Sequence, residues 1–241
     1  MKVAALIPAR YASTRLPAKL IQDLEGKSVI QRTYLSTKQT GVFDEVWVVT
    51  DHEEIQKQIE AIGGKVFFSK KSHESGSDRI AETLTEVEAD LVVNVQGDEP
   101  FQDAKSLRDL VNVFEDKSVQ VASLYATISE GEAANPNAVK VVLDQHSDAL
   151  YFSRSPIPYN RENIPGLTYK RHIGIYGYRR EMLQSFTSWP KGNLEQLEML
   201  EQLRLLEHGI KIRMVESLYQ SIAIDTKEDL EIAREYLRKT I

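Results

Sequence analysis

Three short segments hold the residue types that could do chemistry. IPARYASTRLPAK (7–19) gathers Arg10, Arg15 and Lys19 around two prolines, where the apolar run VAALI ends. VQGDEP (95–100) and IAIDT (222–226) each set an aspartate, Asp98 and Asp225, behind an apolar stretch. Guanidinium and ammonium groups on one loop form a cradle for phosphate oxygens. Separated carboxylates suit Mg²⁺, which keeps several waters and takes one or two protein carboxylates beside substrate phosphates. Together they point to a polyphosphate with its Mg²⁺. Each segment also has a plainer reading: solvated loop cations, a turn aspartate in the Gly-Asp-Glu-Pro corner, and a helix N-terminus with acids in its first turn at DTKED.

The elements that must position these segments follow from the hydrophobic pattern. KVAALI (2–7), EVWVVT (45–50), KVFFS (65–69) and DLVVNV (90–95) predict strands buried on both faces. Amphipathic stretches at 28–40, 52–64 and 77–88 predict helices between them, the second closed by two glycines. That alternation predicts an α/β fold with a mainly parallel twisted sheet and helices on both faces. In such a sheet ligands bind beyond the carboxyl ends of the strands, the edge on which all three segments fall. In the second half, 119–128, 138–144, 149–155 and 172–179 predict longer, partly antiparallel strands. SRSPIPYNRENIPGL (153–167), with three prolines, cannot lie in a central strand. Helices return at 194–208 and 226–239, with strands KIRMVE and YQSIAI between them. The expectation is one domain over 1–241 with a β-rich lobe inserted at about 119–180.

Other stretches are compatible with chemistry without demanding it. SHESGSDRIAE (72–82) reads as a loop feeding a helix with Ser77 as N-cap. YKRHIGIYGYRR (169–180) puts His172, Tyr176 and Tyr178 on one strand face. In 194–208, Leu194, Leu197, Glu198, Glu201 and Leu205 fall at three- and four-residue steps, so acids interrupt an apolar face. There is no GxxxxGK[ST] and no GxGxxG after the first strand.

Composition narrows the class. With a net charge of −6 the chain lacks the basic excess of general nucleic-acid binders. The absence of cysteine removes disulfides, thiolate metal sites and cysteine nucleophiles, and fits a reducing compartment. No apolar run approaches the length of a membrane span, and the N-terminal stretch is too short for a signal peptide. The expectation is a soluble cytoplasmic protein that engages neither nucleic acid nor membrane.

Taken in order, IPARYASTRLPAK, TDHEEI, HESGSDRIAE, VNVQGDEP, NPNAVKVVLD, ALYFSRSPIPY, RHIGIYGYR, LEQLEMLEQLR and IDTKEDLE closely resemble the 3-deoxy-manno-octulosonate (Kdo) cytidylyltransferases across almost the whole chain. The opening motif is shared with related nucleotidyltransferases, whereas RHIGIYGYR with LEMLEQLR is much more specific to the Kdo branch. The resemblance implies a nucleotide-diphosphosugar transferase fold, homodimerising through the β-rich insertion. It implies the reaction of CTP with Kdo to give CMP-Kdo and pyrophosphate, with Mg²⁺, in lipopolysaccharide synthesis. Carried over by position, Arg10, Ser13, Arg15 and Lys19 would hold the CTP phosphates, and Ser75, Asp78 and Arg79 would help enclose the nucleotide. Asp98 and Asp225 would bind the metal and, with Lys19 and Arg10, form the catalytic group. Gln96, Arg161, His172, Tyr176, Glu201 and Gln202 would line the sugar-acid pocket.

The chain departs from the family pattern at Ala18, where glycine is usual, and at Ser221, Ile222 and Ala223, where the approach to the second aspartate is usually glycine-rich. Another acidic sugar, such as 8-amino-Kdo or sialic acid, is therefore the alternative substrate. A non-catalytic nucleotide-binding protein is the alternative of another class.

Overall fold

The computed structural model describes residues 1–13, 15–71, 73, 75–219 and 222–240. Its elements run β1 (Val3–Ala9), α1 (Val29–Gln39), β2 (Glu45–Thr50), α2 (Glu53–Glu60), β3 (Lys65–Phe68), α3 (Gly76–Glu82), β4 (Leu91–Asn94) and α4 (Ala104–Asn112). They continue with β5 (Val121–Ser129), α5 (Glu130–Ala133), β6 (Lys140–Leu143), β7 (Ala149–Ser153), β8 (Thr168–Arg179) and α6 (Arg180–Ser188). The chain closes with α7 (Asn193–Glu198), α8 (Leu203–Glu207), β9 (Ile212–Glu216) and α9 (Lys227–Thr240). It forms two compact units, Met1–Leu107 with Ser221–Ile241, and Arg108–Gln220.

In the first unit β3, β2, β1 and β4 lie side by side, all parallel. The apolar runs that predicted two-sided burial are enclosed: Ala4 to Ile7 of β1 and Leu91 to Val93 of β4 show no exposed surface. Helix α1 starts in a capping box between Ser28 and Gln31, and α2 turns Ile55 and Ile59 inward. The register pairs Ala9 with Thr50, Thr50 with Phe68 and Leu6 with Asn94. All four carboxyl ends therefore open on one edge. No helix of the described residues is long and apolar enough to cross a membrane.

In the second unit β5 pairs antiparallel with β8 and parallel with β9, and β6 and β7 form a hairpin that meets β8 at Lys140 and Arg171. Phe152, Tyr178, Phe186, Leu203, Leu205 and Ile212 fill its core. The partly antiparallel character expected of this half is present.

Four expectations need correction. The helix expected at 194–208 is two, because Met199 adopts a left-handed conformation (φ 52°) and ends α7. A buried pair explains the break: Arg204 donates twice to Glu195, at 2.7 Å each, and this tertiary contact overrides the local preference for one continuous helix. The expected strand YQSIAI is not formed in its described part; Ile224 N–H donates to Asp98 O (3.0 Å) instead of to a ladder, and Gln220 and Ser221 lie outside the described residues. The N-cap of α3 is Ser75, whose hydroxyl accepts from Asp78 N–H (3.0 Å), and not Ser77. Helices α4, α5 and α6 were not foreseen.

Candidate active site

β1 ends at Pro8 and Ala9, and the chain then carries Arg10, Ala12 and Ser13 along the wall of a cavity of about 260 Å³. A short 3₁₀ turn at Lys19–Ile21 brings Lys19 and Leu20 to the same cavity, and the corner after β4 adds Gln96, Gly97 and Asp98. Glycine is required at 97: a Cβ there would stand 2.9 Å from Pro8 O, so only the bare backbone lets the exits of β4 and β1 approach this closely. Gly76, first residue of α3, completes the rim.

The charges meet at Lys19. Its ammonium lies 2.5 Å from Asp98 Oδ2 and 2.9 Å from Asp225 Oδ1, and Arg15 Nη2 reaches the same Asp225 oxygen at 3.1 Å. Residues 79 and 206 positions distant from Lys19 thus converge on one nitrogen. Burial alone would lower the Lys19 pKa, but the Asp98 and Asp225 carboxylates outweigh it and raise it above 10.5. The helix-capping reading of Asp225 is resolved by its neighbours. Asp229 accepts from the N–H groups of Asp225 (3.0 Å) and Thr226 (2.8 Å), and Thr226 Oγ1 accepts from Asp229 N–H (3.2 Å). Capping is done by Thr226 and Asp229, which leaves the Asp225 carboxylate for Lys19 and Arg15.

Of the residues expected to enclose the nucleotide, Ser75 caps α3, and Arg79 is buried with its Nη2 on Asp51 Oδ2 at 2.8 Å. Burial raises the Asp51 carboxyl, and the Arg79 hydrogen bond and charge overcome this and hold it below the ordinary value. Ala18, where the family pattern has glycine, stands at φ 50°, ψ 37°, so a side chain sits in a backbone conformation suited to glycine.

In the second unit His172, Tyr176 and Tyr178 share a face as expected, with ring centroids 5.2 Å and 5.7 Å apart along the row. Ser123 Oγ donates to Ile175 O (2.8 Å), so His172 Nε2–H donates to Ser123 Oγ (2.9 Å) and Nδ1 carries the free lone pair. Desolvation lowers the imidazole from 6.5 to about 3, and it is neutral at physiological pH. Burial, then Tyr178 and Glu201, push the Tyr176 phenol well above 10. A neutral imidazole and a protonated phenol can read hydroxyls but do not exchange protons near pH 7. Gln202 is buried at the start of α8, and Glu201 Oε1 lies 3.7 Å from Arg204 Nη2. Arg161 is not drawn into this group: its side chain is 88% exposed and faces Glu162 at 3.7 Å.

Sequence reasoning missed Ala12, Leu20, Gly76 and Gly97 of the cavity wall and the Arg204–Glu195 pair. For Gly97 a signal was present, a glycine two residues after a buried strand run. The ion pair had none.

The family described as Cytidylyltransferase matches residues 4–212. A 3-deoxy-manno-octulosonate cytidylyltransferase of Flavobacterium johnsoniae is 55% identical over 242 residues, covering 99% of each chain. This chain belongs to the 3-deoxy-manno-octulosonate cytidylyltransferase family. The relative of that name from Escherichia coli is 44% identical over 97% of this chain and 95% of its own. Among solved structures, a CMP-2-keto-3-deoxy-manno-octonic acid synthetase complexed with CTP superposes with a TM-score of 0.95 at 42% identity, over all of both chains. The 4-diphosphocytidyl-2C-methyl-D-erythritol synthase of Anaerococcus prevotii shares the fold alone, with a TM-score of 0.66 at 16% identity. The expected α/β nucleotidyltransferase architecture is thus borne out.

Proposed function

We propose that this chain joins CTP and Kdo to give CMP-Kdo and pyrophosphate, a step of lipopolysaccharide synthesis. One observation carries the reading: a strand-end cavity lined by Arg10, Ser13, Lys19 and Asp98, with Asp225 tied to it through Lys19, in a chain 55% identical to a cytidylyltransferase of that name. Cytidylyltransferases generally use a divalent metal, and Mg²⁺ is the ion proposed here. The donor set fits it. Two carboxylates already share one cation, and no cluster of three or more acidic or histidine ligands exists among the described residues, which suits an ion that keeps waters and phosphate oxygens. Asp98 and Asp225 would hold Mg²⁺, which supplies charge neutralisation at the reacting phosphate.

The remaining chemistry belongs to this chain's own groups. The sugar's anomeric oxygen forms a bond to the α-phosphorus as the bond to pyrophosphate breaks, and the hydroxyl proton passes to solvent. Arg10, Arg15 and Lys19 offset the charge on the triphosphate and on the departing pyrophosphate, so no protein nucleophile is needed. Pro8 and Pro17 limit the freedom of the loop before binding. Ser75, Asp78 and Arg79 remain the proposed nucleotide enclosure. Gln96, Arg161, His172, Tyr176, Glu201 and Gln202 remain the proposed sugar contacts, with the neutral His172 as acceptor for a hydroxyl. On the same reading two copies pair through the β-rich stretch 119–180, supported by the exposed apolar side chains Leu150, Tyr159 and Ile164. Pyrophosphate release with CTP against Kdo, 8-amino-Kdo and sialic acid tests the assignment. Kdo should be turned over fastest, and a clear preference for either rival would replace the sugar while keeping the reaction class.

A further inference from the structure

Tyr11 and His52 stack with ring centroids 3.8 Å apart and planes 12° from parallel. β1 and β2 pair in parallel up to Ala9 and Thr50, and each ring stands two residues beyond its strand's last paired position. The stack therefore carries the strand pairing past the end of the sheet, since residues two apart on neighbouring strands share a face. His52 is held on its own side: its N–H donates to Thr50 Oγ1 (3.2 Å), and its Nδ1 accepts from Glu54 N–H (3.3 Å) as the cap of α2. Tyr11 is flanked by Arg10 and Ala12, both on the cavity wall, yet is not itself part of that wall. Between β1 and the turn at Lys19 the described residues form neither helix nor strand, so the loop needs fixing from outside.

We propose that the Tyr11–His52 stack is a peg that holds the cation loop in its nucleotide-receiving shape, making both rings positioning residues for CTP that act through Arg10 and Ser13. This rests on the reading of the cavity as the CTP site. An ordered loop loses less freedom on binding, so the peg should appear in nucleotide affinity and not in the transfer step.

Variants of His52 separate the ring from the cap. His52→Asn keeps a capping acceptor and loses the ring, whereas His52→Phe keeps the ring and loses the acceptor. Tyr11→Ala and His52→Asn should each raise the KM for CTP about 3- to 10-fold, the span expected from one aromatic pair, with kcat and the KM for Kdo within about twofold of the parent. Tyr11→Phe and His52→Phe should keep the parental KM for CTP, even where His52→Phe lowers the Tm. The double variant Tyr11→Ala/His52→Asn should be no worse than either single one. The proposal is overturned if His52→Phe loses as much CTP affinity as His52→Asn, if the two effects add, or if neither ring deletion moves the KM for CTP. Calorimetric CTP binding runs alongside. A parent chain that binds CTP but transfers it to no sugar acid defeats the reaction assignment alone, and the dissociation constants then decide the peg by the same pattern. A parent chain that binds no CTP overturns both.

Discussion

Replacing Lys19 by Met keeps the side chain's length and apolar stem and deletes the ammonium that two carboxylates share. The Lys19 side chain is 12% exposed, with Asp98 and Asp225 at 27% and 39%. Removing one partner of a fully buried ion pair costs about 3–5 kcal/mol, and an exposed pair contributes about 0–1 kcal/mol. This cluster lies between those limits, and Arg15 remains on Asp225 at 3.1 Å, so Lys19→Met should lose about 1–3 kcal/mol. Urea unfolding without nucleotide or metal measures it, with an unchanged m-value. The sign with pH follows from the direction of the shift. The folded-state pKa of Lys19 is raised above 10.5, so the contribution is complete below that value and fades as pH rises through the folded pKa. The gap between parent and variant should therefore be constant from pH 7 to 9. With the ammonium gone, Asp98 and Asp225 accept a divalent cation without competition, and Mg²⁺ should raise the Tm of the variant more than that of the parent. Equal stability of the two proteins, or equal Mg²⁺ effects, would refute the shared-charge cluster.

Three further outcomes follow from particular residues. Ala18→Gly should stabilise the chain by up to about 1.5 kcal/mol, because about 1–2 kcal/mol of left-handed strain is relieved against about 0.5–1 kcal/mol of added unfolded-state freedom; a measurable loss in thermal unfolding would contradict it. Arg204→Met should cost about 3–5 kcal/mol by stranding the buried Glu195, and adding Glu195→Gln should recover part of that in a double-mutant cycle; strict additivity would mean the pair does not hold α7 to α8. His172 is depressed to about 3, so the folded chain takes up its proton later than the unfolded one, and stability should fall as pH drops from 6.5 towards 3. His172→Phe should flatten that slope by up to about 1.4 kcal/mol per pH unit, and an unchanged slope in acid-unfolding curves would show that another group controls it.

The parallel half of the fold was legible because β1 and β4 are buried on both faces and read as unbroken apolar runs, with helical periodicity between them. The same alternation fixed the edge on which Lys19, Asp98 and Asp225 would lie, since ligand loops follow carboxyl ends. What the pattern could not carry was contact between distant residues. LEQLEMLEQLR has the spacing of one helix, and the bidentate Arg204–Glu195 pair and left-handed Met199 break it in two. Asp225 and a capping aspartate look alike in DTKED, and only the hydrogen bonds of Thr226 and Asp229 assign the cap elsewhere. Arg161 came from family position alone; its exposed side chain, set against Glu162, shows why a loop residue cannot be placed by periodicity.

On the proposed function, Asp98 and Asp225, joined through Lys19, mark the place where CTP reacts. Pyrophosphate release by Asp98→Asn at saturating CTP, Kdo and Mg²⁺, with CTP binding measured on the same preparation, tests it most directly. kcat should fall at least about 100-fold, the scale of losing one charge-stabilising group, while the chain stays folded and still binds CTP. Turnover within a fewfold of the parent would remove Asp98 from the reaction.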